Sequence, residues 1–260
     1  MNAVEKRKQI KRNNVLKVIR ASDEVSRFVI KKVTKYSMTT ILNIVDSLIK
    51  EDLITEEMSQ DVKIGRTPIY LNINPKGQYF IGIEFNADVL KSVAIDFNVD
   101  VIYSEKFKMD KGMSVEQIIT LIKTAVNKAL EQVPYREKVA GIGIGVPGYV
   151  DKKNGIALEY SYFNDWNNVE IKKIIEEEFA IDVYIDNNIN ALTYHYKWVN
   201  PKEKDFIVVS MQYGTRLGIV LNNDIFIGSR GNAGEIGHTK VRNGNRLCSC
   251  GKIGCLDSEI

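Results

Sequence analysis

The sequence predicts an α/β protein in two parts, a small basic helical module followed by a larger body of strands and helices. Three observations carry this. Residues 1–35 hold eleven basic side chains against three acidic ones, a surplus of eight, so with a whole-chain charge of +3 the remainder runs a deficit of five. Apolar residues recur at helical spacing up to about residue 50, and β-rich runs separated by turns follow from residue 79. Between them Asn74-Pro75-Lys76-Gly77 is a turn signal.

At 260 residues there is room for two or three modest domains. The balance of 44% hydrophobic and 27% charged residues is that of a soluble globular protein. No apolar run reaches the length that spans a bilayer, so no membrane role is expected. The N-terminus is charged from Glu5 onward and lacks the apolar core of a signal peptide, which makes the cytoplasm the expected location. A basic front on a mildly acidic body points to a polyanion partner for the front alone; a solvated charged face is the other reading.

Taken in order, Ile10, Val15, Leu16, Val18 and Ile19 form the apolar stripe of a first helix. Asp23 to Val33 reads as a second, with Val25, Phe28, Val29 and Val33 buried. Ser37 is the N-cap of a third, in which Ile41, Ile44, Val45, Leu48 and Ile49 repeat at helical spacing. The last two, joined by a short turn, fit a helix-turn-helix that exposes Met38, Thr39, Thr40 and Asn43 near the start of its second helix. Short polar side chains there, with Ser37 just ahead of them, suit contact with DNA. Leu53–Thr55 and Thr67–Leu71 are the two strands of a wing. Such a module binds DNA, or it is a small helical domain that binds protein.

In the body, Tyr79–Phe85, Val89–Phe97 and Val99–Phe107 read as a three-stranded meander. Ser114 with Gln117 makes a capping box for a helix carrying Ile118, Ile119, Ile122, Val126 and Leu130. A strand (Val139–Val146), a helix (Val169–Phe179), a strand (Val183–Asp186) and a helix (Ile189–Val199) come next. A second set of strands begins at Asp205–Ser210, with a hairpin over Leu217–Ile227. The expected domains are residues 1–75, 76–200 and 201–260.

The stretch Gly228 to Cys255 holds all three cysteines and one of two histidines. Cys248, Cys250 and Cys255 crowd one tight loop, and His238 lies ten residues before the first of them. Three thiolates and an imidazole complete a tetrahedral zinc shell with no open position, a structural site. A disulfide with one spare cysteine, or three unrelated thiols, are the alternatives. A C-x-C pair is poorly placed for a mutual disulfide, and in a reducing compartment clustered thiols more often bind metal.

Gly231-x-Ala233-Gly234-Glu235-Ile236-Gly237-His238 followed by C-x-C-G-x-x-G-C resembles the signature of the ROK family, which contains repressors and sugar kinases. The resemblance reaches back to about residue 10. It implies an actin-like, ribonuclease-H-like fold behind a winged helix-turn-helix, with a second lobe that continues past the cysteine loop in the family and here stops at Ile260. That end leaves Ile227 and Ile236 at an unsupported surface. Gly65-Arg66-Thr67-Pro68 resembles the G-R-x-P element after the winged helix in family repressors, with Arg66 suited to a narrow minor groove.

The resemblance also implies a sugar site lined by Asn187, Asn188, Glu235 and His238, with Asp257 where the family has glutamate. Asn187 and Asn188 are equally suited to capping a helix. Gly145-Val146-Pro147-Gly148 matches the family turn ahead of that site, and Asn164 is the candidate for a family asparagine, its register left open. Family kinases carry D-x-G-G-T, G-T-G-x-G-G-G and E-N-D-x-N-A. Here the first reads Glu84-Phe85-Asn86-Ala87-Asp88, the second Gly214-Thr215-Arg216-Leu217-Gly218-Ile219-Val220, and the third places Asn188 where the proton-accepting aspartate belongs. An amide cannot remove a hydroxyl proton. The expectation is a non-catalytic, dimeric or larger repressor that binds a double-stranded DNA operator and a sugar effector of xylose or glucose type. An ATP-dependent sugar kinase and a repressor controlled by a protein partner are the alternatives.

Overall fold

Helix α1 (Ala3–Arg20) opens with a reciprocal cap, the Asn2 side chain accepting the Glu5 N–H and the Glu5 carboxylate accepting the Asn2 N–H. Only Val15 and Ile19 of this helix are buried; Ile10 is 49% exposed, so its front half lies in solvent. Helix α2 (Arg27–Thr34) begins later than the sequence predicts, because Ser26 caps it by accepting the Val29 N–H. Val25 ahead of the cap and Ile30 in the first turn are both fully buried, a hydrophobic staple that fixes the entry angle. That angle turns Phe28 and Val33 outward, at 67% and 59% exposure, against their expected burial. Lys35 takes the left-handed conformation that ends α2, and Ser37 caps α3 (Met38–Lys50) through the Thr40 N–H at 3.2 Å. Ile41, Ile44, Val45 and Leu48 of α3 join Val15, Ile19 and Ile30 in one core.

Strands β1 (Ile54–Met58) and β2 (Ile69–Ile73) pair antiparallel as the wing, Ile54 opposite Ile73 and Met58 opposite Ile69. The computed structural model describes residues 2–22, 24–58, 68–160, 162–229 and 231–260, so Asp23 and the wing tip, with Arg66, lie outside the described residues.

Strands β3 (Tyr79–Phe85), β4 (Val89–Asp96) and β5 (Val101–Lys108) follow as the sequence predicts, then α4 (Val115–Gln132), capped reciprocally by Ser114 and Gln117. Strand β6 (Val139–Val146) leads into three short strands the sequence analysis did not identify, β7 (Tyr149–Asp151), β8 (Ile156–Glu159) and β9 (Asn167–Val169), which form their own sheet. Helix α5 (Ile171–Phe179) starts two residues later than expected because Val169 belongs to β9. Strand β10 (Val183–Asn187) and helix α6 (Asn188–Val199) complete this part. The five-stranded sheet runs β10-β6-β3-β4-β5, with β10 parallel to β6. That register sets Asn187 beside Val146, so the Pro147-Gly148 turn and the start of α6 leave the sheet at the same end.

Strands β11 (Phe206–Met211), β12 (Thr215–Leu221) and β13 (Asp224–Ile225) make a separate antiparallel sheet. Gly218 on β12 lies so close to α6 that an added Cβ would stand 1.7 Å from the Thr193 hydroxyl. The cysteine loop ends in a single turn, α7 (Leu256–Glu259). Ile227 is 46% exposed and Ile236 half-buried. The chain divides into two compact units, Met1–Phe80 with Ala94–Ile102 and Val133–Ala140, and Ile81–Val93 with Tyr103–Gln132 and Gly141–Ile260. Among the described residues no helix is long and apolar enough to cross a membrane.

Candidate functional site

Backbone geometry aims the four candidate metal ligands at one point. A short 3-10 turn over Ile236–His238 presents the imidazole. The Cys248 N–H bonds the Lys252 carbonyl and the Gly251 N–H bonds the Cys248 carbonyl, closing the tight turn that carries Cys250. Gly254 has a left-handed φ of 78° and would place a Cβ 2.6 Å from the Gly244 carbonyl oxygen, so the loop crosses itself where only glycine fits.

The ligand atoms of His238, Cys248, Cys250 and Cys255 all lie within 4.8 Å of one another. The Cys248 sulfur is 3.7 Å from His238 Nδ1, and the Cys250 and Cys255 sulfurs are 3.7 Å apart. A disulfide needs about 2.05 Å, whereas a tetrahedral ion bonded to sulfur at about 2.3 Å sets its ligands roughly 3.7 Å apart. The donor set and its spacing fit a four-coordinate metal. Burial pushes the Cys255 thiol up to about 11, so a metal must displace its proton at neutral pH. The backbone N–H of Lys252 lowers Cys250.

The five residues expected at a sugar site fall on two adjoining cavities. Asn187 and Asn188 line one of about 470 Å³; Glu235, His238 and Asp257 line a second of about 720 Å³. Gly148, Tyr160, Met211, Tyr213 and Arg216 belong to both. The Asn187 amide is consumed by the protein, its nitrogen donating to the Gly148 carbonyl and its oxygen accepting the Ile189 N–H as the cap of α6. Asn188 donates to the Phe85 carbonyl at 2.8 Å and to Glu84 at 3.2 Å, while its buried side-chain oxygen has no partner. Lys91 pairs with the same Glu84 at 3.0 Å. Asp257 accepts the Thr215 N–H at 2.6 Å, tying α7 to the start of β12. Asn164 lines neither cavity and reaches the Gly112 carbonyl at 3.5 Å.

From the resemblance, two turns are expected at the places of kinase phosphate cradles. In the first, Asn86 accepts the N–H groups of both Asp88 and Val89 at 3.0 Å, so its side chain folds over the turn. In the other, Arg216 projects a side chain. Sequence reasoning did not single out Tyr160, Tyr213 or Arg216 as site residues. They come from different strands and loops, and only the arginine in a glycine-rich turn gave any signal. Tyr160, Tyr162 and Tyr213 form a chain of ring contacts at 5.2 and 5.8 Å along the cavity wall. Burial raises the Tyr160 phenol well above its ordinary value, so it stays neutral.

In the front module Ser37 and Thr40 spend their hydroxyls on the α3 cap, 2.8 Å from each other. Met38 is half-buried; Thr39 and Asn43, one turn apart, are exposed on the same face. The Lys11 ammonium stands 5.6 Å from the centre of the Tyr36 ring, just ahead of that cap.

Residues 80–260 match the family model of the ROK family. The xylose repressor of Caldicellulosiruptor bescii is 35% identical over 96% of this chain and 63% of its own length. The glucokinase of Halalkalibacterium halodurans is 29% identical over 70% of this chain and 56% of its own. Among solved structures, a ROK family transcriptional regulator described as a homologue of the E. coli MLC protein superposes with a TM-score of 0.80 at 24% identity, over 96% of this chain and 64% of that one. This chain thus spans a little under two thirds of the relatives it matches.

Proposed function

The chain belongs to the ROK family, and we propose that within it the protein is a sugar-responsive, DNA-binding transcriptional repressor without phosphotransferase activity. The observation that carries the reading is the combination of Asn188 at the position of the kinase base with a capped helix α3 that leaves Thr39 and Asn43 free. The match to a xylose repressor takes in 96% of the chain and supports this reading, while the match to a glucokinase takes in 70% at lower identity and supports the shared family only.

Residues 1–75 bind operator DNA through α3 in the major groove, Thr39 and Asn43 facing base edges while Ser37 and Thr40 hold the helix end. Two copies on a palindrome place two such helices one or two helical turns apart. The sugar takes its hydroxyl contacts from Glu235 and His238, with Asn187 pinning the Gly148 turn and Asn188 the Phe85 carbonyl beside it. Asn188 cannot accept a proton, so the sugar is bound and released unchanged.

Zinc is the metal this donor set selects: His238, Cys248, Cys250 and Cys255 hold it with no position left for chemistry. His238 would hold the metal through Nδ1, the ring nitrogen 3.7 Å from the Cys248 sulfur, which would leave Nε2 for the cavity it lines. The metal also fixes the loop bearing Glu235, so losing it loosens sugar contacts that it does not itself make. An effector changes DNA affinity only by binding one arrangement of the protein better than the other. Titration of a duplex from the promoter of the protein's own gene, with and without xylose, glucose and N-acetylglucosamine, tests the reading; DNA affinity unmoved by every sugar favours control by a protein partner instead.

A further inference from the structure

We propose that Arg216 is the positioning residue of the carbohydrate site, its guanidinium holding the Glu235 carboxylate against the Gly148 turn so that two cavities act as one ligand site. The proposal rests on the reading of this cleft as a sugar site. Arg216 stands on the wall common to both cavities. Its Nε pairs with Glu235 at 3.5 Å, its Nη1 donates to the Gly148 carbonyl at 3.3 Å, and its guanidinium lies 5.9 Å from the centre of the Tyr149 ring. Both partners of the ion pair are about one fifth exposed, shielded enough for the contact to be felt.

The Gly148 carbonyl is a fixed anchor. Gly148 has a φ of 79°, and a Cβ there would sit 2.0 Å from the Glu159 carbonyl oxygen, so only glycine fits where this turn packs against Glu159. The same carbonyl accepts from Asn187. A path of two hydrogen bonds and one ion pair therefore runs from Asn187, in the first cavity, through Gly148 and Arg216 to Glu235, in the second. A glutamate side chain has three rotatable torsions, and holding one oxygen on a guanidinium leaves the other pre-oriented for a sugar hydroxyl. Arginine suits this task because its fork reaches two acceptors at once, which a lysine ammonium on a flexible stem does less well.

The test is calorimetry on zinc-loaded protein with D-xylose, D-glucose and N-acetylglucosamine, using whichever gives heat with the wild type. Arg216→Met, which keeps the volume and removes the charge, is expected to weaken that sugar roughly ten- to a hundredfold. Arg216→Lys is expected to fall between Met and wild type. Zinc content and affinity for DNA without sugar stay unchanged in both. If the arginine acts through Glu235, the double variant with Glu235→Gln binds no worse than Glu235→Gln alone. Wild-type affinity in Arg216→Met, a lysine no better than methionine, or fully additive losses would each overturn the assignment. Should Arg216→Met fail to fold, the lysine variant and its cycle with Glu235→Gln decide the matter alone. No heat with any of the three sugars in the wild type removes the sugar-site reading and this inference together.

Discussion

The proposed loss of phosphotransfer turns on the side chain at position 188. On that reading an aspartate there would be the base; the asparagine is a strut, its nitrogen spent on the Phe85 carbonyl and Glu84. Restoring the carboxylate does not restore the chemistry. Asn188→Asp would face Glu84 across a hydrogen-bond distance with Lys91 as the neighbouring cation, and like charges at that range push one carboxyl to hold its proton. The Asn86 side chain would still hold the Asp88 and Val89 N–H groups. Asn188→Asp is therefore expected to release no ADP above the wild-type background with any monosaccharide; measurable turnover would contradict the account. At the metal ligands, the raised Cys255 thiol carries a second expectation. Zinc uptake by metal-free protein should release protons at neutral pH and weaken as pH falls, read by titrating zinc in buffers of different ionisation enthalpy.

Among the elements, those whose sequence signal is local were legible and those whose fate depends on packing were not. The capping box of α4, the Ser37 cap and the β-rich run of β3 are each written within a few consecutive residues, and each was found where predicted. Helix α2 was misjudged because five apolar residues in one short stretch admit several faces, and the Val25–Ile30 staple chooses among them. Strands β7, β8 and β9 are three or four residues long, too short for a period to show. The metal ligands were legible because they lie within eighteen residues of one chain segment, from His238 to Cys255. The shared wall of the two cavities was not, since its residues come from separate strands and loops. Three predictions belong at this scale. Thr39→Ala and Asn43→Ala should lower selectivity for operator over random duplex, while Lys11→Ala weakens both alike; a duplex titration without that separation refutes the placement of α3. Gly237→Ala would set a Cβ 2.2 Å from the Asp257 carboxylate and break its hold on Thr215, so sugar affinity should fall while DNA affinity without sugar persists. Glu51, held below the usual carboxylate range by Arg12, helps fasten α1 to α3. A lowered carboxyl stabilises above its unfolded value and loses that effect as pH falls through the folded one. Arg12→Gln should thus cost at most about 1 kcal/mol near neutrality, because the pair is partly exposed, and nothing in strong acid.

At the scale of the whole molecule, charge and chemistry are divided between parts. The positive surplus sits in the front module, and a mildly acidic body carries the cavities and the metal loop. The proposed function needs those properties separated, since a DNA operator is a polyanion and a sugar effector a neutral polyol. The measurement that bears most directly on this is fluorescence anisotropy of a labelled promoter duplex, titrated with zinc-loaded protein at fixed salt, with each sugar in turn and ATP present throughout. The account predicts specific DNA binding that one sugar shifts at least tenfold while no ADP appears. DNA affinity indifferent to sequence, or ADP accumulating with the active sugar, would contradict it.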